Sequence, residues 1–227
     1  MRIQKCSVLC LLVCAIALTT TADAATKVHV IAFGKWTSVQ WLPDGADDKP
    51  VILKIRALMV DGRAKEYAVG APHEVTDRLF VVRRVFRVND SLPEDSAIRW
   101  QWQRGGWLLV DRVTGHISPI NLPEFDAYYS AASWYRENIA YCGVSDDGKK
   151  TYAVVMQLSR RKPVLKKELS SDGVAENAAP DSACVAPVWQ RGPVRVSFEA
   201  RGSAKQTFAI RGHVVDLVND AEEEEEK

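Results

Sequence analysis

Beyond residue 25 the chain shows almost no helical period: short runs of Val, Ile, Leu, Phe, Tyr and Trp are broken repeatedly by Gly, Asp, Asn and Pro. Runs of this length, closed by turn residues, predict many short strands joined as hairpins. Val51 to Val60 is followed by Asp61-Gly62 and a second apolar run at 64–69, and Asp-Gly supplies the positive-φ positions that a tight hairpin turn needs. The same logic pairs 107–111 with 116–120 across Thr114-Gly115, 138–144 with 151–158 across Asp146-Asp147-Gly148, and 194–200 with 206–210 around Gly202. Residues 79–88 form a further strand, long enough to carry a bulge. Its Arg83, Arg84 and Arg87 are expected on the wet face or at an edge, where charge discourages unwanted pairing.

The two ends differ from this body. Arg2 and Lys5 precede an apolar run from Ser7 to Leu18, and Ala22-Asp23-Ala24 offers a small-x-small cleavage site. Residues 1–24 therefore read as a signal peptide, which places the mature chain outside the cytoplasm, periplasmic or secreted. About 12 apolar residues fall short of the ~20 that cross a bilayer as a helix, and no later run reaches that length, so the mature chain is expected to carry no transmembrane segment. Leu9 before Cys10 and Val13 before Cys14 do not supply the small residue of a lipidation site. Cleavage takes 30 Lys+Arg to 28 and 29 Asp+Glu to 28, so the mature protein is formally neutral. Residues 221–227, with glutamate at 222–226, are expected to form a solvated, disordered acidic tail. Between the ends, 25–220 reads as a single β-rich domain with a core of ordinary size.

Two cysteines remain after cleavage, Cys142 and Cys184, and an even count in an exported chain predicts a disulfide. It would close a loop whose segment 170–183, rich in Ser, Asp, Gly, Ala, Asn and Pro, has little to bury and is expected to be flexible.

Internal echoes recur at corresponding places. Leu58-Met59-Val60-Asp61 is matched by Leu108-Leu109-Val110-Asp111, and Trp102-Gln103-Arg104-Gly105 by Trp189-Gln190-Arg191-Gly192. Trp41-Leu42-Pro43-Asp44-Gly45 and the turn Ser145-Asp146-Asp147-Gly148 resemble the β-propeller repeats of the Tol-type periplasmic family, whose blades often open with Trp-x-Pro-Asp-Gly. The resemblance implies a propeller-like array of hairpins within an all-β fold; roughly 14 strands at four per blade leave fewer than four full blades, so a β-sandwich is the alternative.

Catalytic and cofactor motifs are sparse. The histidines at 29, 73, 116 and 213 stand in no metal-ligand spacing; His73-Glu74 is followed by Asp77 where a zinc-protease helix needs its second His. No Gly-x-Ser-x-Gly elbow and no Gly-rich phosphate loop occurs, so neither a metal nor another cofactor is expected. A neutral chain also lacks the broad basic surface that nucleic acid requires. Asp44, Asp47 and Asp48, and again Asp146 and Asp147, read as turn formers. Asp111, Glu124, Asp126 and Glu137 lie among aromatics, which leaves open a carboxylate pair of the kind that hydrolyses glycans.

The reading that results is an exported, non-catalytic binding or scaffold protein for a protein, peptide or glycan; the alternative is an extracytoplasmic glycan hydrolase. Leu122-Pro123-Glu124-Phe125-Asp126 reads as a connection, and connections carry contacts, so Phe125, Tyr128 and Tyr129 are the expected ligand-binding residues. Mass spectrometry of protein from the native host is expected to find a chain beginning near Ala25; an intact Met1 terminus overturns the assignment of compartment.

Overall fold

The computed structural model describes residues 28–41, 50–94, 96–127, 130–169, 184–200, 204–211 and 214–218. The segment at 1–24, the Pro-Asp-Gly of 43–45, the loop at 170–183, the tail at 221–227, and Tyr128 and Tyr129 lie outside the described residues.

Among the described residues there is no helix, and the all-β expectation is met. The strands are β1 (Ile31–Phe33), β2 (Thr37–Trp41), β3 (Val51–Val60), β4 (Arg63–Glu74), β5 (Leu79–Asn89), β6 (Trp100–Asp111), β7 (Ile117–Pro119), β8 (Ala132–Tyr135), β9 (Asn138–Val144), β10 (Thr151–Gln157), β11 (Leu165–Leu169), β12 (Val188–Gln190), β13 (Arg195–Phe198), β14 (Gln206–Arg211) and β15 (Val214–Val218). They form three sheets.

The first sheet has seven strands in the order β1-β3-β2-β6-β5-β4, with β7 beside β6 and a further β3–β4 pairing. Asp61 and Gly62 both take positive φ, 52° and 75°, which matches the twist of the β3–β4 hairpin. The sheet curls back on itself, but β2 meets β6 through one parallel pair, Trp41 with Trp102, and no barrel closes. Along β5–β6, Arg83 faces Trp107 and Val85 faces Arg104, so Gly105 and Gly106 together oppose Arg84. A Cβ on Gly105 would lie 3.2 Å from the Phe86 ring and 3.3 Å from Arg84 Cβ, so a side chain at the bulge would press on both. Leu58, Ala68, Phe80, Val82, Leu108 and Val110 form this sheet's own core.

The second sheet, β11-β10-β9-β8, and the third, β12-β13-β14-β15, are four-stranded antiparallel meanders. Strands β9 and β10 are buried on both faces, because their alternation divides them between two clusters. Ala140, Cys142, Ala153 and Val155 pack with Val196, Phe198 and Phe208 of the third sheet. Ile139, Tyr141, Val154 and Met156 face the other way, toward Trp107, Leu122, Phe125 and Trp134. The second sheet is thus the middle layer of a stack.

Cys142 of β9 and Cys184, bridged to Ala200 beyond β13, stand at disulfide distance with Cα atoms 6.1 Å apart. The pair ties the middle layer to the third sheet through their shared core. In protein lacking residues 1–24, thiol labelling after unfolding without reductant is expected to find almost no free cysteine. Replacing both by alanine is expected to lower stability by about 2–4 kcal/mol in urea titrations; two reactive thiols, or no loss, contradict the pairing.

Candidate functional site

The connection between β7 and β8 runs along the middle sheet to the point where β8 begins. Among the described residues the edge of β9 beyond Tyr141 has no strand partner on that side, and the connection bonds to it instead. Val144 N–H donates to the Glu124 carbonyl at 2.9 Å, and the Ser130 hydroxyl donates to the Cys142 carbonyl at 2.8 Å. Tyr141, buried in β9, donates its hydroxyl to the Pro123 carbonyl at 2.7 Å; burial, then the nearby Glu124 carboxylate, pushes its pKa upward. Glu124 takes a positive φ of 57°, and a Cβ on Gly143 would lie 3.2 Å from Glu124 Cβ. A side chain at 143 would press the connection or Val154 back by a few tenths of an ångström.

Arg83 holds this connection from the first sheet. The sequence suggests a wet face for it, but it is 8% exposed, and it donates to the Ala127 carbonyl at 2.6 Å and the Ser130 carbonyl at 3.3 Å. Desolvation lowers its pKa to about 10, neighbouring Arg104 pushes the same way, and Asp126 opposes them. The guanidinium remains charged at neutral pH, and carbonyl oxygens together with Asp126 compensate it. Its phase along β5 is that of Val81 and Val85, both fully buried, and this period-two signal is present in the sequence. Arg84 lies in the opposite phase and pairs with Glu66 at 3.0 Å.

Of the expected ligand-binding residues, Phe125 is half-buried. Its ring stands edge-on to Tyr141 at 5.2 Å, with the Arg83 guanidinium 5.3 Å from its centroid. Trp107 and Trp134 stand in β6 and β8 and meet edge to face at 5.4 Å between the first two sheets. His73 of β4 stacks on Trp134 at 5.7 Å and donates Nε2–H to the Arg136 carbonyl at 2.8 Å.

Beside Phe125 lies a cavity of about 400 Å³, walled by Leu122, Glu124 and Asp126 on one side and by Val144, Ser145 and Asp146 on the other. Asp147 holds the β9–β10 turn in place by accepting the Ser145 hydroxyl at 2.5 Å, the contact that chiefly lowers its pKa. Glu124 Oε1 accepts from Lys166 Nζ at 2.5 Å, whereas Glu124 Oε2 is buried without a hydrogen-bond partner. Asp111 and Glu137 are engaged elsewhere. Asp111 accepts from Arg78 at 2.9 and 2.5 Å, which holds its carboxyl well below the usual range, and Glu137 accepts from Gln157 at 3.3 Å. Among the described residues no group of three or more His, Cys, Asp or Glu is placed to hold a metal ion. Comparison with protein families, curated proteins and solved structures finds no match for this chain.

Arg83→Ala is expected to destabilise the protein by about 3 kcal/mol, since it strips compensated buried acceptors of their donor. Arg84→Ala should cost about 1 kcal/mol or less, as exposed pairs do. Equal losses in chemical denaturation would remove the anchoring role assigned to Arg83.

Proposed function

We propose that the chain is an exported, non-catalytic binding or scaffold module that takes a peptide or glycan between the 122–126 connection and the β9–β10 turn. The observation that carries this reading is the polar cavity itself, where Glu124 and Asp126 of the connection face Ser145 and Asp146 of the turn. Carboxylates on facing walls offer acceptors to the hydroxyl or amine groups of a ligand. Export is supported by the charged-then-apolar pattern at 1–24 and by the Cys142–Cys184 pair, because disulfides persist in oxidising compartments.

A propeller-like arrangement of the sheets is part of the same reading. Strands β8 and β12 open their meanders and meet: the Ser133 hydroxyl donates to the Pro187 carbonyl at 2.5 Å, and Tyr135 stacks on Trp189 at 5.5 Å. Sheets of four strands with neighbouring first strands suit blades, which is what the Tol-type resemblance implies.

The hydrolase alternative draws on Glu124 and Asp126 lining one cavity. Arrays of peptides and glycans, read together with a reducing-sugar assay, separate the two. Retention without product, weakened at least about fivefold (~1 kcal/mol) by Glu124→Gln, is expected. Sugar release abolished by Glu124→Gln would establish the hydrolase instead, and retention indifferent to Glu124 would remove the cavity as the site.

A further inference from the structure

A second surface, on the first sheet, carries chemistry that the cavity does not use. Register places Tyr67, Val85, Arg87, Trp100, Trp102, Arg104 and Trp41 on one face, since each is paired with another of the set or lies two residues from one along its strand. Their rings and guanidinium groups alternate. Arg104 stacks over Trp41 at 4.7 Å, Trp41 is registered beside Trp102, and Arg87 lies 5.7 Å from the Trp102 ring and 5.3 Å from that of Trp100. Tyr67 meets Trp102 edge-on at 5.1 Å.

The ladder is buried at one end and open at the other. Trp41 is 6% exposed, whereas Trp100 is 52% and Tyr67 40% exposed. Stacking on indoles stabilises an arginine, but it does not require half of a tryptophan to face water. Charge supplies a further clue. Arg78, Arg84, Arg99 and Arg112 each pair with a carboxylate. Among the described residues Arg87 and Arg104 contact indole rings and form no ion pair with a carboxylate, and no acidic residue stands on their face among these registered positions. Arg87 is exposed beside these indoles, and its planar guanidinium fork can receive a carboxylate or sulfate in bidentate fashion.

We propose that the Trp100–Arg87–Trp102 face binds an acidic glycan, with a sugar ring lying on Trp100 and its carboxylate or sulfate received by Arg87. Trp102 and Tyr67 prolong the flat apolar surface, and the buried Arg104–Trp41 end holds the ladder rigid. A sugar fits better than a nucleic acid because two arginines flanked by aromatics offer a local anion contact, whereas a polyphosphate backbone calls for a broad basic track. The formal net charge, +1 for the whole chain and zero without residues 1–24, provides no such track.

The test is titration of the protein, followed by tryptophan fluorescence, with a sulfated oligosaccharide, an oligouronate, a neutral oligosaccharide of equal length and a single-stranded DNA oligonucleotide. Binding to the two acidic glycans, at least tenfold weaker for the neutral one and for DNA, is the expected result. Trp100→Ala and Arg87→Gln should each weaken acidic-glycan binding about tenfold; Trp100→Tyr should restore most of it; Lys205→Ala, exposed beside the third sheet and outside both surfaces, should leave it unchanged. Circular dichroism melts identify any variant that fails to fold, and Arg87→Lys, which keeps charge but not the planar fork, then replaces it with the same expected weakening. Equal binding of neutral and acidic glycans, DNA binding as tight as that of the sulfated sugar, or affinity indifferent to both Trp100 and Arg87 overturns the proposal.

Discussion

The rest of the structure depends on the double-sided burial of β9 and β10. Ile139 to Gly143 are buried without interruption, and Ala153 to Met156 likewise, so neither face of this hairpin can be left to water. Each fully buried Val, Ile or Met side chain contributes roughly 1.5–3 kcal/mol relative to exposure, and alternation delivers these residues to opposite sides in equal measure. A hairpin of this kind is stable only between two other layers. The third sheet brings Phe198 and Phe208 to the side where the middle sheet presents Ala140 and Ala153, which sets large side chains against small ones. The first sheet brings Trp107 to the other.

Stacking alone leaves an edge of β9 open, and closing that edge creates the candidate site. The 122–130 connection bonds to the strand through Val144, Cys142 and Tyr141, and Arg83 fixes it from the neighbouring layer. A buried guanidinium is costly unless its donors are met. Here its partners are carbonyls of the same connection that shapes the cavity, so the site's geometry and the compensation of the charge are one arrangement. Satisfaction is incomplete on both sides: Arg83 Nε and Glu124 Oε2 are buried without a hydrogen-bond partner, while Glu124 Oε1 accepts from Lys166.

Arginine is used in three ways on one sheet. Arg83 is buried and bonded to carbonyls, Arg84 is paired with Glu66, and Arg87 is stacked on indoles. Three residues within five positions of β5 thus meet three environments. Pleat and twist separate them: odd positions face the second sheet near Arg83, then emerge toward solvent by Arg87, while Arg84 points to the opposite face.

Much of this is legible in the order of residues. Asp61-Gly62, Thr114-Gly115 and Asp146-Asp147-Gly148 mark three hairpins correctly because positive-φ turns depend on the local residues alone. The Cys142–Cys184 pairing is legible because these are the two cysteines beyond residue 25, and the 122–126 connection is recognisable from its Pro and acids between two apolar runs. Other features depend on partners distant in the chain. Phe125 reads as an exposed contact until Tyr141 and Arg83 enclose it, Trp107 and Trp134 become an inter-sheet contact, and the Arg104–Trp41 stack joins strands far apart in the chain. Sequence by itself determined the hairpins that carry a local turn signal and the strands beside them, since alternation and φ preference are properties of neighbouring residues. Which face of each strand is dry, and which arginine is held by carbonyls, by a carboxylate or by indoles, only the tertiary structure decided, because burial is set by what packs on a face and not by the strand that presents it.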